Sequence, residues 1–213
     1  MAILSERPDT PESALAELLA GNQRFVDGTR IHPNQDAEHR ATIAVAQQPF
    51  AVVFGCSDSR LAAEMIFDRG LGDLFVVRTA GHIVGAEVIA SIEYGVTVLG
   101  APLVVVLGHD SCGAILATQA ALAGDRPADG HLDAIIDRVT PSLDVARERQ
   151  VTDQDEIGDV HVQCTVGALA VHARALSAAV ASGKCALVGM SYRLADSRIT
   201  VLNDVPAGVA GDR

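Results

Sequence analysis

The chain has 213 residues, which fits one domain or at most two small ones. Hydrophobic residues make up 49% and charged residues 20%, so a sizeable core is possible and disorder is excluded on composition; with no tryptophan, two tyrosines and five phenylalanines, that core must be aliphatic. The formal net charge of -11 argues against nucleic acid and against an anionic membrane surface as partners, because both need basic patches. The first residues, MAILSERPDTPES, hold no apolar signal-peptide core, and no apolar run approaches the roughly 18 residues of a membrane span. Residues 12–27 read as a helix with Leu15, Leu18, Leu19 and Phe25 mostly on one face and a start signal at Thr10-Pro11. Residues 29–36 read as a loop around Pro33, and 38–47 as a short helix ended before Pro49. Continuous β-branched runs at 50–54, 74–77 and 103–107 predict strands covered on both faces; 186–190 predicts a fourth strand and 199–202 a fifth. Helical segments at 86–99, 114–123, 132–148 and 155–182 separate them. The alternation predicts an α/β fold with a mainly parallel central sheet, in the order 2-1-3-4 with an antiparallel fifth strand, flanked by helices. One domain is expected over residues 1–213, with 1–48 as an N-terminal helical arm, 125–130 as an exposed loop and 203–213 as a frayed tail.

Two predicted strands end in the same kind of chemistry. The first runs into Gly55-Cys56-Ser57-Asp58-Ser59-Arg60 and the third into Gly108-His109-Asp110-Ser111-Cys112-Gly113. Sites in open parallel sheets gather beyond the carboxyl ends of strands where the strand order reverses. If these strands are neighbours, Cys56, His109 and Cys112 meet in one crevice, and two thiolates with an imidazole are a natural zinc set that leaves a fourth position open. Taken singly, each of these residues is also an ordinary core thiol or loop histidine. Asp58 and Arg60 are spaced to form a carboxylate–guanidinium pair beside the metal, or a plain surface ion pair. A nucleophilic Cys56 in an anion loop closed by Arg60 is a weaker alternative, because three residues separate them where such loops place five. Cys164 and Cys185 read as buried small hydrophobes, and four sparse cysteines suit a reducing, cytoplasmic compartment.

Cys56-Ser57-Asp58-Ser59-Arg60, followed about fifty residues on by Gly108-His109-x-x-Cys112-Gly113, resembles the paired signature of the β-class carbonic anhydrases. The stretch from Phe75 to Gly81, the Ile92-Glu93-Tyr94 triplet and Gly21-Asn22-x-Arg24-Phe25 resemble the family as well, so that the likeness runs from about residue 12 to 202. The resemblance implies reversible hydration of carbon dioxide to bicarbonate and a proton by hydroxide generated at one zinc ion per subunit. It implies Cys56, His109 and Cys112 as zinc ligands, Asp58 and Arg60 as a catalytic dyad, and Asp58 as a fourth ligand in a closed form at lower pH. Gln47 matches a bicarbonate-binding glutamine, Phe75, Ala80 and Tyr94 match the wall of a narrow pocket, and Gly113 matches a glycine whose amide lies near substrate. Val53 stands where some members carry a tryptophan that forms a second, inhibitory bicarbonate site, so no such site is expected. The family further implies a homodimer or dimer of dimers, with the first helix crossing to a neighbour and the site at the interface. Hydrolysis of CS2 or COS on the same scaffold and non-catalytic zinc binding remain as alternatives. His82 is a candidate proton shuttle or an ordinary loop histidine, and His32, His39, His131, His161 and His172 are expected on surfaces or loops.

Overall fold

The computed structural model describes residues 7–125 and 130–202; the predicted tail, and residues 126–129 of the predicted loop, lie outside them. Its frame is a five-stranded sheet in the order β2-β1-β3-β4-β5, made of β1 (Ala51–Cys56), β2 (Leu74–Thr79), β3 (Leu103–His109), β4 (Ala186–Tyr192) and β5 (Ile199–Leu202). The first three pairings are parallel and β4–β5 is antiparallel, as the sequence predicts. β1 and β3 are buried along their whole length, which is why their runs show no polar alternation. β2 corrects the expectation of strands covered on both faces: it is an edge strand, half-buried, with Arg78 exposed.

Helices cover both faces. On one side α1 (Pro11–Val26), α3 (Ala63–Ile66), α5 (Gly113–Leu122) and α6 (Asp133–Glu148) contribute Leu18, Ile66, Ile115 and Leu143 to a core with Val53, Val105 and Leu107. On the other, α4 (Ala86–Thr97), α7 (Gln154–His172) and α8 (Arg174–Ala181) pack Ile92, Val162, Leu169 and Leu176 against Val52, Phe54 and Val104. The first helix starts at Thr10, whose side chain and backbone exchange hydrogen bonds with Ser13, with Pro11 in the first turn. Its apolar face, which lacks an obvious partner in the sequence, is partly covered by its own chain: Ala14 and Leu18 are fully buried. The buried Asn22 side chain donates to the Ile66 and Ser197 carbonyls and accepts from the Ile199 amide, tying α1 to α3 and β5.

Two helix boundaries differ from the sequence pattern. The second helix, α2 (Ala37–Ile43), stops short of residue 47 because none of its residues is buried, so no packing extends it. The predicted helix 155–182 is two helices, α7 and α8, bent by 93°. No glycine or proline marks the break at Ala173; instead Glu93 of α4 accepts a hydrogen bond from the Ala175 amide at 2.8 Å and satisfies the new helix start. No single described helix is long and apolar enough to cross a membrane.

Gly21 marks where α1 rests on α3: a Cβ there would lie 1.8 Å from the Phe67 carbonyl oxygen. Helix propensity alone would make Gly21→Ala stabilising by about 1 kcal/mol, whereas overpacking against an unyielding backbone costs about 1–3 kcal/mol. We expect the loss, read as a lower midpoint of urea unfolding; a raised midpoint would show that α1 can lift away from α3.

Candidate metal centre

The chain leaves β1 for β2 on one side and β3 for β4 on the other, so the crevice past the carboxyl ends of β1 and β3 is the switch point of the sheet. Cys56 is the last residue of β1 and His109 the last of β3. Ser111 then adopts a left-handed φ of 51°, a strained conformation for a residue with a side chain. That turn brings Cys112 back against the crevice and starts α5 directly after it, where the positive end of the helix favours a thiolate. All three side chains are buried, and one ligand atom from each lies within 4.8 Å of the others.

The donor chemistry fits a zinc ion. The two sulfurs are 4.0 Å apart, against about 3.8 Å for two thiolates sharing a tetrahedral zinc at ~2.3 Å each. His109 Nδ1 sits 2.8 Å from the Asp110 carbonyl oxygen; a carbonyl only accepts, so Nδ1 carries the proton and Nε2 keeps its lone pair. That Nε2 is buried without a hydrogen-bond partner. The thiols titrate as a pair. The hydrogen bond from Cys112 holds Cys56 far below the ordinary thiol range against the opposing effect of burial. The same sharing, with burial, pushes Cys112 up. Burial opposes the charged imidazole, but the nearby Cys56 sulfur outweighs it and leaves the His109 pKa raised.

Beside this dry cluster lies a wetter one. Arg60 donates from its backbone N–H and from Nε to Asp58 Oδ1, both at 2.9 Å, and from Nη2 to Oδ2 at 2.7 Å. This bidentate clamp holds the Asp58 carboxyl well below the usual carboxylate range. The sequence pointed to these residues but not to Arg78, which donates to the Cys56 carbonyl at 2.9 Å and the Asp58 carbonyl at 2.6 Å and braces the loop between them. Nor did it mark the contact in which the Gly81 N–H reaches Cys56 Sγ at 3.3 Å.

Two of the predicted pocket residues lie at this end of the sheet. Ala80 is exposed in the short helical turn Ala80–His82 next to Gly81, and Gly113 opens α5. The others do not reach it within one chain. Gln47 is exposed before the start of β1, whose first residue, Ala51, is already about 17 Å from Cys56 at the rise of an extended strand. Phe75 is four residues upstream of Thr79, the partner of Cys56, or about 13 Å. Tyr94 rests on Phe75, ring centroids 6.0 Å apart. A cleft of about 370 Å³ lined by Arg7, His39, Phe50 and Arg69 opens at that opposite end. The hollow beside Val53, Cys56 and Arg78 is only about 10 Å³, room for about one water molecule and no more.

The histidine expectations need correction. His82 is 1% exposed, edge-on to Phe54 and 4.4 Å from the His161 ring, with neither nitrogen hydrogen-bonded. Burial holds its pKa well below the ordinary value, so the ring stays neutral and sealed from solvent, which removes it as a proton carrier. His161, expected on a surface, is 2% exposed. Cys185 is buried as expected, whereas Cys164 is only partly so.

Residues 51–199 match the family model described as Carbonic anhydrase. The chain is 49% identical over 198 residues to Carbonic anhydrase 2 of Mycobacterium tuberculosis (strain CDC 1551 / Oshkosh), spanning 92% of this chain and 95% of that protein. It is 50% identical over 189 residues to Carbonic anhydrase of Mycolicibacterium smegmatis, spanning 89% and 92%. Its fold is similar to a structure from a study of two tetrameric beta-carbonic anhydrases of Sordaria macrospora, with a TM-score of 0.71 at 24% identity over 89% of this chain and 97% of that one.

Arg78 predicts a local effect. Each charge-assisted hydrogen bond contributes about 1.5–3 kcal/mol, so Arg78→Ala should speed amide hydrogen exchange across residues 57–61 by about tenfold or more while β3 stays protected. Unchanged exchange in that loop would show that Arg78 is not its brace.

Proposed function

This chain belongs to the β class of the carbonic anhydrase family, lyases by reaction, and from that premise we propose that it hydrates carbon dioxide reversibly to bicarbonate and a proton, with zinc held by Cys56, His109 and Cys112. The observation that carries the reading is the convergence of two ionisable sulfurs and an unpartnered imidazole nitrogen beside a carboxylate clamped by arginine. When bound, zinc supplies a Lewis acid that lowers the pKa of water and so provides hydroxide near neutral pH. Two thiolates offset the charge of the ion and weaken that acidification, so a carboxylate that assists by hydrogen bonding is needed. Asp58 fills this role. Oδ1 already accepts two hydrogen bonds from Arg60 and Oδ2 only one, which leaves a lone pair on Oδ2 to accept the proton of the attacking oxygen and aim its electrons at carbon. Kept ionised by Arg60, Asp58 accepts and does not donate. Released by Arg60, Asp58 would be free to serve as a fourth ligand in a closed form.

The contacts to substrate divide by position. Ala80 and Gly113 serve the site of their own chain. Gln47 and Phe75, at the far ends of β1 and β2, and Tyr94 of α4, which rests on Phe75, serve the site of a neighbour, so the working unit is a homodimer or a dimer of dimers. The four thiols, none in a disulfide, suit a reducing cytoplasm.

Stopped-flow CO2 hydration tests the function. Asp58→Asn should keep one zinc per chain and lose about a hundredfold or more in kcat, the usual scale for one transition-state hydrogen bond. Arg60→Ala should fall in the same direction. Zinc-loaded wild type that gives no hydration above buffer would overturn the reading. Cys112→Ser should drop the zinc content to a trace by elemental analysis, and full retention would remove Cys112 from the ligand set. A wild-type protein that turns over CO2 as a monomer, by mass in solution, would refute the shared pocket.

A further inference from the structure

A line of buried polar contacts runs from the far side of the core to the sulfur of Cys56. In α7, His161 Nε2 lies 2.8 Å from the Gly81 carbonyl oxygen, and its Nδ1 lies 2.8 Å from Ser142 Oγ in α6. The carbonyl can only accept, so Nε2 carries the proton and Nδ1 accepts from the Ser142 hydroxyl. Gly81 in turn donates its N–H to Cys56 Sγ at 3.3 Å. Ser142 and His161 are 3% and 2% exposed, so the line is closed to water. The neighbouring His82 makes no hydrogen bond, which leaves His161 as the side chain that grips the Gly81 carbonyl.

Gly81 needs such an anchor. It holds a left-handed φ of 65°, and a Cβ there would come within 2.7 Å of the Ala114 methyl, so its lack of a side chain is required. The same lack leaves its backbone free to rotate unless another group fixes it. An N–H donated to a thiolate draws electron density from the sulfur, weakens its donation to a bound metal and so keeps the metal a stronger Lewis acid.

We propose that His161, oriented by Ser142, is a positioning residue of the metal centre: it fixes the Gly81 backbone so that the Gly81 N–H stays aimed at Cys56 and tunes that sulfur as a ligand. This rests on the reading of Cys56 as a zinc ligand and deepens it by naming how the ligand is tuned.

The test uses the full-length protein loaded with cobalt(II) in place of zinc, with His161→Leu, His161→Gln and Ser142→Ala beside wild type. Loss of the N–H···S contact makes the sulfur more electron-rich. In His161→Leu the thiolate-to-cobalt band should therefore move to longer wavelength. The pH profile of CO2 hydration should shift to higher pH, because the metal acidifies water less. His161→Gln keeps an N–H donor near the Nε2 position and should return the band towards wild type; Ser142→Ala should move it in the same direction as His161→Leu, by less. Should His161→Leu fail to fold, Ser142→Ala carries the test: a shifted band supports the proposal and an unmoved band refutes it. An unmoved band in folded His161→Leu overturns the proposal and leaves the zinc reading standing. A wild-type protein with no thiolate-to-cobalt band overturns the zinc reading itself, and this proposal with it.

Discussion

Everything at the crevice depends on the parallel pairing of β1 with β3. That register sets Gly55 beside Leu107, so the two strands end within two residues of each other and deliver Cys56 and His109 to one place. Both strands are wholly buried, and their faces pack different partners, with Val53 and Leu107 on one side and Val52 and Val104 on the other. A slip of one residue would exchange those faces and part the thiol from the imidazole together. The floor of the crevice is equally constrained. A Cβ on Gly108 would come within 2.3 Å of a Val162 methyl, so α7 can press close under the strand ends only because that residue is glycine. From there α7 sends His161 towards the turn that touches Cys56.

The site is divided into a dry part and a wet part, and each chemistry stands where it works. The thiols and the imidazole are 2–5% exposed, which removes competition from water and strengthens every interaction with a cation. Asp58 and Arg60 reach towards solvent, where a carboxylate can stay ionised and a proton can leave. Burial decides the fate of the histidines in the same way. His82 stands near the centre in sequence, yet burial silences it as a proton carrier, while the equally buried His161 is useful because both its nitrogens are engaged.

Much of this was legible from local pattern. Continuous apolar runs marked β1 and β3, and the polar residues that end them marked the proposed ligands and dyad. What was not legible depends on long-range partners. The break between α7 and α8 falls on alanine, the best helix former, and exists because Glu93, 82 residues away, caps the new start. The half-burial of β2 was hidden because an edge strand partly covered by α4 keeps the same apolar run as a central one. The burial of His161 and the role of Arg78 depend on which carbonyls they meet, and a carbonyl leaves no mark in a sequence. Gln47, Phe75 and Tyr94 could be matched to a pocket by resemblance, but the rise of a strand places them at the wrong end for their own chain. Distance along β1 and β2, more than residue type, is what supports the proposed second subunit.

The charges at the site also explain how a chain with a net charge of -11 can produce an anion. Two thiolates would offset the divalent ion proposed for them, and Arg60 offsets Asp58, so the proposed centre would be close to neutral as a whole. A neutral gas enters such a site without electrostatic steering, and the acidic surface therefore costs nothing in capture. Bicarbonate is different: a centre with uncompensated positive charge would hold it and slow release. With the ion's charge already offset by its sulfurs, the product gains little by staying. The acidification lost to those same sulfurs has to be recovered locally, by the Asp58 hydrogen bond on the wet side and by the Gly81 N–H on the dry side. The two-sulfur ligand set thus makes its hydrogen-bonding neighbours part of the chemistry.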